Sequence, residues 1–317
     1  MTRESNRRRA LALVGPTGVG KTAIGIALAQ RLGVEIISAD SRQIYRLMDI
    51  GTAKPTHDEQ EEVRHHLIDT IYPDETYSAG TYVRDVQEVL RSVVNDHRTP
   101  IIVGGAGLYI RALMGGLFQA PNIPPHVREQ IRLEMESKGT AAMHEHLSHV
   151  DPEAGGRIHP NDQQRIGRAL EVYETTGTNL TEWQRTSMPE SPVLDLQVVG
   201  VRRERTELYA RTDLRVHDMI KAGLVAEVEG LLSQGYTKET PGLRTFGYKQ
   251  IVDHLAGDMS LSEAVADIQQ QTRRYAKRQL TWFRHASPTQ WLTLDHDSDP
   301  RNVCKEITAR FLPDKSV

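Results

Sequence analysis

An α/β fold built on a parallel sheet, with a mostly helical insertion, follows from three observations. Short apolar runs rich in β-branched residues recur at Ala10–Val14, Val34–Ser38, Pro100–Val103 and Leu196–Val201. Helix-compatible stretches, Thr22–Leu32 and Tyr82–Asn95, separate the first three, the alternation that a parallel sheet requires. Strand signals then vanish from Phe118 to Pro192, between Pro-rich punctuation at Pro121–Pro125 and Pro189–Pro192. The expected layout is a phosphate-loop core, 1–117 with 193–317, flanked by helices and interrupted by a helical domain at 118–192.

The first run ends in Gly15-Pro16-Thr17-Gly18-Val19-Gly20-Lys21-Thr22, between a strand and a helix. That context gives a G-x-x-x-x-G-K-[ST] motif its meaning. Glycines let backbone N–H groups curl around a phosphate chain, and the helix N-terminus adds positive potential. Lys21 can reach terminal phosphates and the Thr22 hydroxyl can ligate Mg²⁺. The chain is expected to bind a di- or triphosphate, either for phosphoryl transfer or to hold pyrophosphate as a leaving group.

Asp40 stands just past the second run, in Ile36-Ile37-Ser38-Ala39-Asp40-Ser41, on the sheet edge where ligands bind. It could ligate Mg²⁺, act as a general base, or cap the next helix. The third run ends in Gly104-Gly105 without a Walker-B acid, which weakens an ordinary NTPase reading. Gly104-Gly105-Ala106-Gly107 permits close backbone approach to a ligand or a plain tight turn. Adjacent His65 and His66 point apart on any regular element, so they are expected to be structural.

In the insertion, Pro125–Lys138 and Asp162–Thr176 read as helices, and Gln164, Arg165 and Arg168 share one face of the second. That face is either a solvated charged surface or a grip on phosphate. Beyond Leu196–Val201, Arg205–Gln234 and Ser262–Arg284 read as long amphipathic helices, and Gln290–Leu294 as a short extended segment. From Ile268 to Leu294 there is no acid, against Arg273, Arg274, Lys277, Arg278 and Arg284, with Tyr275, Trp282 and Phe283 interleaved. Basic and aromatic residues together suit RNA, although the aromatics could equally be core.

Bulk properties agree with an enzyme of ordinary composition. The 317 residues are 26% charged with a formal net charge of −3, so any nucleic-acid surface must be local. Cys304 is the only cysteine, which excludes disulfide frameworks and cysteine zinc sites within one chain. No apolar run approaches the ~20 residues of a membrane span. Met1–Arg9 is polar, lacks a signal-peptide core and reads as a frayed tail. A cytoplasmic protein without a membrane partner is expected.

Together, GPTGVGKT (15–22), DSRQIY (40–45), DIGTAKP (49–55), HHLID (65–69) and VGGAGLY (103–109) resemble the tRNA dimethylallyltransferases. So do RIHPNDQQRIGRALEVY (157–173), RTFGYKQ (244–250) and TRRYAKRQLTWFRH (272–285), so the resemblance runs from about Ala10 to Arg284. It implies transfer of a dimethylallyl group from dimethylallyl diphosphate to N6 of adenine 37 in the tRNA anticodon stem-loop, with Mg²⁺ and release of pyrophosphate. Extracting the base from its stack fits such chemistry. The resemblance makes Asp40 the proton acceptor and gives Thr17 and Arg128 catalytic roles near the departing oxygen. It implies donor contacts at Gly15, Pro16, Thr17, Gly18, Val19, Gly20, Lys21 and Thr22. It implies tRNA contacts at Asp40, Ser41, Arg42, Gln43, Ala106, Arg128, Gln164, Arg165 and Arg168. The C-terminal half adds Arg244, Gly247, Tyr248, Lys249, Arg273, Arg274, Lys277, Arg278, Trp282 and Arg284. Ala106 departs from the family's usual Thr and removes one hydroxyl. A monomer clasping one anticodon arm is expected, of bacterial type since the eukaryotic finger is absent. The alternatives are a small-molecule kinase, a prenyltransferase acting on free adenine nucleotides, and an RNA-binding switch that uses nucleotide only for regulation.

Overall fold

The computed structural model describes residues 9–93, 100–116, 121–187, 192–285 and 287–312. Residues 1–8 of the expected tail Met1–Arg9, the start of the insertion at Phe118 and the punctuation at Pro189 lie outside them, while Arg9 itself opens the first strand.

The chain divides into two compact units, Met1–Met114 with Pro192–Val317, and Gly115–Ser191. The first is organised by β1 (Arg9–Val14), whose residues from Leu11 onward are at most 3% exposed. An apolar run buried on both faces needs a neighbour on each edge, and β1 has two. It pairs in parallel with β4 (Ile101–Gly104) on one side and β5 (Asp195–Arg202) on the other. β2 (Ile36–Ala39) and β3 (His65–His66) continue outward beyond β4, and β6 (Gln290–Thr293) beyond β5. All pairs are parallel, in the order β3-β2-β4-β1-β5-β6. The chain moves from β1 to β2 on one side and later returns to β5 on the other. The loop after β1 therefore sits where strand order reverses, the crevice in which such sheets bind ligands.

Of the connecting helices, α1 (Lys21–Leu32) ends at Gly33 in the left-handed conformation, φ 62°. α2 (His57–Glu62) opens with a capping box between Thr56 and Glu59. α3 (Ala79–Ser92) is capped by Ser78, so it starts three residues before the expected Tyr82, and Asn95 lies outside the described residues. α4 (Gly107–Leu113) follows β4 directly. β3 was not expected, because two residues are too short for a periodic signal.

The second unit is helical. α5 (Pro125–Val150) runs past the expected Lys138, but Gly139 at φ 80° breaks it into two. α6 (Pro152–Arg157), α7 (Gln163–Thr176) and α8 (Leu180–Thr186) pack with it around Ile131, Leu147, Ile166 and Leu170. Buried Asp151 accepts from the N–H of Ala154 and from both the N–H and hydroxyl of Thr181, so its charge is satisfied.

Back in the first unit, the expected helix Arg205–Gln234 is two. α9 (Arg205–Lys221) and α10 (Leu224–Ser233) are separated at Gly223, whose φ of 101° no helix accommodates. α11 (Tyr248–Leu255), α12 (Leu261–His285) and α13 (Pro300–Phe311) complete it. α12 packs on α9 and α11, and its buried positions Ile268, Thr272, Ala276, Gln279 and Phe283 recur at helical spacing.

Candidate functional site

The loop after β1 wraps tightly because its glycines lack side chains. A Cβ at Gly15 would lie 2.5 Å from the Val201 carbonyl, and one at Gly18 would lie 2.8 Å from Thr212 Cγ2. Lys21 and Thr22 open α1, and with Asp40 and the loop they line a cleft of about 500 Å³ in the first unit. Lys21 Nζ donates to the Pro16 carbonyl at 2.9 Å. Burial pushes its pKa down to about 8, against the opposing pull of the Asp40 charge, and Arg215 adds to the lowering.

Asp40 stands at the carboxyl end of β2. Its Oδ1 accepts from the N–H of Arg42 at 2.9 Å and of Gln43 at 3.4 Å, which fixes the following turn. It thus caps a turn and not a helix, and Oδ2 has no partner among the described residues. Ser41 hydrogen-bonds Tyr275, whose pKa burial and then Asp40 raise to about 12. Gln43 donates to the Ala53 carbonyl at 3.0 Å and lines the cleft.

Arg42 is turned inward. Its guanidinium lies 3.9 Å over the Phe246 ring and donates to the Phe246 carbonyl and, at 3.3 Å, to Gly51 O. Burial lowers its pKa, with Asp40 opposing.

Four residues that no local signal marked converge on the loop. Arg203, at the end of β5, donates from Nε to Val19 O at 3.1 Å and from Nη1 to Glu207 and Asp295 O at 2.5 Å each. Arg211 and Arg215 stand one turn apart on α9. Arg211 donates to Gly18 O at 3.0 Å, and Arg215 to the Thr17 hydroxyl and Ala53 O at 3.4 Å each. Gln279 on α12 accepts from Thr17 N–H at 2.9 Å. Only the i,i+4 arginine pair was detectable in principle, and amphipathic helices carry such pairs routinely.

The turn after β4 approaches helix α12 closely. A Cβ at Gly105 would lie 2.1 Å from Gln279 Nε2, and one at Gly107 would lie 2.3 Å from the Trp282 ring. Ala106 occupies the N-cap of α4 and provides no side-chain cap.

Two expected RNA contacts, Gly247 and Tyr248, are corrected. Tyr248 is fully buried and its hydroxyl donates to Glu227 at 2.5 Å, while Gly247 is buried beside it, so neither offers a surface to RNA. Arg273 is paired with Asp213 of α9 at 2.6 Å. Phe283 is core, as the alternative for these aromatics held. Trp282 packs on Gly107 and edge-on to Phe283 but is only half-buried, and it lines a surface groove with Arg274, Lys277 and Arg278. Exposed Arg274, Lys277, Arg278 and Arg284 remain on α12 without an ion-pair partner among the described residues. Arg244 is exposed, and Lys249 pairs with Asp253 at 2.9 Å.

In the second unit, Arg128 and Gln164 are exposed, Arg165 pairs with Asp162 at 3.0 Å and Arg168 with Glu171 at 3.1 Å. The histidines are structural, as expected. His65 Nδ1 meets Val63 O at 2.7 Å and His66 Nε2 meets Glu35 at 2.5 Å. No helix is long and apolar enough to cross a membrane among the described residues.

Residues 43–286 match the IPP transferase family. A protein named tRNA dimethylallyltransferase from Syntrophobacter fumaroxidans is 47% identical over 279 residues, 88% of this chain and 82% of its own. Its namesake from Alkaliphilus oremlandii is 42% identical over 96% of this chain and 97% of its own. The crystal structure of a full-length tRNA isopentenylpyrophosphate transferase from Bacillus halodurans superposes with a TM-score of 0.69 at 36% identity, covering 96% of each chain. A eukaryotic dimethylallyltransferase acting on tRNA shares the fold, with a TM-score of 0.80 at 24% identity over 98% of this chain and 81% of its own.

Proposed function

The chain belongs to the tRNA dimethylallyltransferase family, and from this we propose that its cleft transfers a dimethylallyl group from dimethylallyl diphosphate to N6 of adenine 37 in tRNA. The observation that supports Asp40 as base is its half-used carboxylate. Oδ1 is held by two backbone N–H groups while Oδ2 is left for a proton. As N6 bonds to C1 of the donor, the C1–O bond breaks, the N6 proton passes to Asp40 and pyrophosphate departs. An exocyclic amine conjugated to a ring is a poor nucleophile, and a positioned base contributes about 10²–10⁴-fold.

The departing diphosphate gathers charge, which the loop amides, Lys21 and Arg215 stabilise in place. Lys21 is pre-strained for this role, because a ligand dianion offsets the burial that lowers its pKa to about 8. Thr17 would polarise the bridging oxygen, and Arg128 keeps the catalytic role that the resemblance implies. The donor set suits Mg²⁺: the Thr22 hydroxyl and diphosphate oxygens are hard ligands that would leave room for water, while Asp40 Oδ2 stays free for the proton. When bound, Mg²⁺ neutralises charge on the diphosphate.

The exposed residues Arg274, Lys277, Arg278 and Arg284 would grip the anticodon arm through phosphates, with Ser41, Arg244, Lys249 and the insertion's Arg128, Gln164, Arg165 and Arg168. A single chain acting in the cytoplasm completes this reading.

Mass spectrometry of nucleosides from unmodified tRNA, incubated with the protein, Mg²⁺ and dimethylallyl diphosphate, tests the proposal. One dimethylallyl group should appear on adenosine, and about 10²–10⁴-fold more slowly with Asp40→Asn. ATP consumption on a small alcohol, with unmodified tRNA, would move the chain to the kinases.

A further inference from the structure

We propose that Gln279 is a positioning residue for the donor's diphosphate, locking the phosphate loop to the turn after β4. The carboxamide is 5% exposed. Its Oε1 accepts from Thr17 N–H at 2.9 Å and its Nε2 donates to Gly105 O at 3.0 Å. A carboxamide offers a donor and an acceptor side by side without charge.

The Thr17 N–H belongs to the same peptide unit as the Pro16 carbonyl, which accepts from Lys21 Nζ at 2.9 Å. In a trans peptide these two groups point in opposite directions. The unit is therefore pinned from both sides, by Gln279 on its N–H and by Lys21 on its oxygen. Rotating it would break both bonds. Gln279 thus sets where the Lys21 ammonium waits, and it turns the Thr17 hydroxyl toward Arg215. Gly105 leaves the space that the amide fills, because a Cβ there would stand 2.1 Å from Nε2.

The inference rests on the phosphate loop binding the donor's diphosphate, so the probe is inorganic pyrophosphate with Mg²⁺, read by calorimetry on the full chain. Gln279→Ala should weaken pyrophosphate about tenfold, the loss expected for two buried hydrogen bonds, while thermal unfolding stays cooperative and tRNA affinity holds within about twofold. Gly105→Ala, which displaces the amide without changing any residue of α12, should weaken it by a similar factor. The double variant should be no weaker than Gln279→Ala alone, because both changes break one contact. If Gln279→Ala does not fold, Gln279→Glu gives the same reading: it keeps the acceptor but sets a second acceptor against Gly105 O. Folded variants with wild-type pyrophosphate affinity overturn the role of Gln279. Wild-type protein that binds no pyrophosphate overturns the reading of the loop itself.

Discussion

The Tyr248 hydroxyl donates to Glu227 Oε1 at 2.5 Å, and the same carboxylate accepts the N–H groups of Asp49, Ile50 and Gly51 at 3.0, 2.8 and 3.2 Å. One carboxylate on α10 thereby anchors the segment whose Thr52, Ala53 and Lys54 wall the cleft. Lys54 completes the anchoring, with Asp49 and Asp69 each at 2.5 Å from its buried ammonium. Tyr248→Phe removes one donor to a charged acceptor and should cost about 1–3 kcal/mol. Urea unfolding should show the loss, with tRNA affinity unchanged; a large loss of tRNA affinity would return Tyr248 to the RNA surface.

Asp40→Asn should lower turnover by about 10²–10⁴-fold and leave tRNA binding intact. The amide oxygen can still accept from Arg42 and Gln43, so the turn survives and only the proton acceptor is lost. Single-turnover assays beside filter binding separate the two effects. Retained turnover rules out the base assignment.

Lys21 gives a pH prediction with a definite sign. Its pKa falls from 10.5 to about 8 in the ligand-free fold, mainly through burial. Below pH 8 it is charged in both states and the fold bears the whole penalty. As pH rises from 8 to 10.5 the folded state sheds its proton and the penalty fades. Lys21→Met should therefore stabilise the ligand-free protein at pH 7, by up to about 3 kcal/mol, and this gain should shrink toward pH 10.5. Wild-type affinity for pyrophosphate should weaken above pH 8, as the cation that meets it is lost. A pH-independent difference between the two proteins would contradict this account.

The exposed face of α12 should govern the salt dependence of RNA binding. Replacing Lys277 or Arg278 by Ala should each reduce the slope of log affinity against log salt by about 0.7–0.9. Arg273→Ala should act differently, lowering stability through loss of its pair with Asp213. Wild-type slopes in all three variants would place the RNA elsewhere.

Ala106 leaves the N-terminus of α4 uncapped. Ala106→Thr supplies a hydroxyl that can accept from the first turn and should stabilise the protein by about 0.5–2 kcal/mol in thermal unfolding. An unchanged or lower midpoint would mean that the added methyl group strains a site only 9% exposed.

Much of the fold was legible because it rests on local pattern. Every expected strand is present within two residues at either end, since a buried parallel strand must be apolar along its whole length. Errors gathered where one residue overrides a pattern. Gly223 split a helix and Gly139 broke another, each through a positive φ that apolar periodicity does not register.

Sequence alone determined the phosphate loop, the strand-end Asp40 and the basic stretch after Ile268, because each is written in consecutive residues whose geometry follows from short-range sterics and charge. Tertiary structure alone decided which side chains serve that loop. Thr17 and Gln279 are 262 residues apart, and nothing near either one announces the bond between them. It also decided that Arg42 and Tyr248 face inward while Arg274, Lys277 and Arg278 face out. Orientation on a helix follows from what packs against it, and the partners of α12 come from α9, α11 and α4, elements far away in the chain.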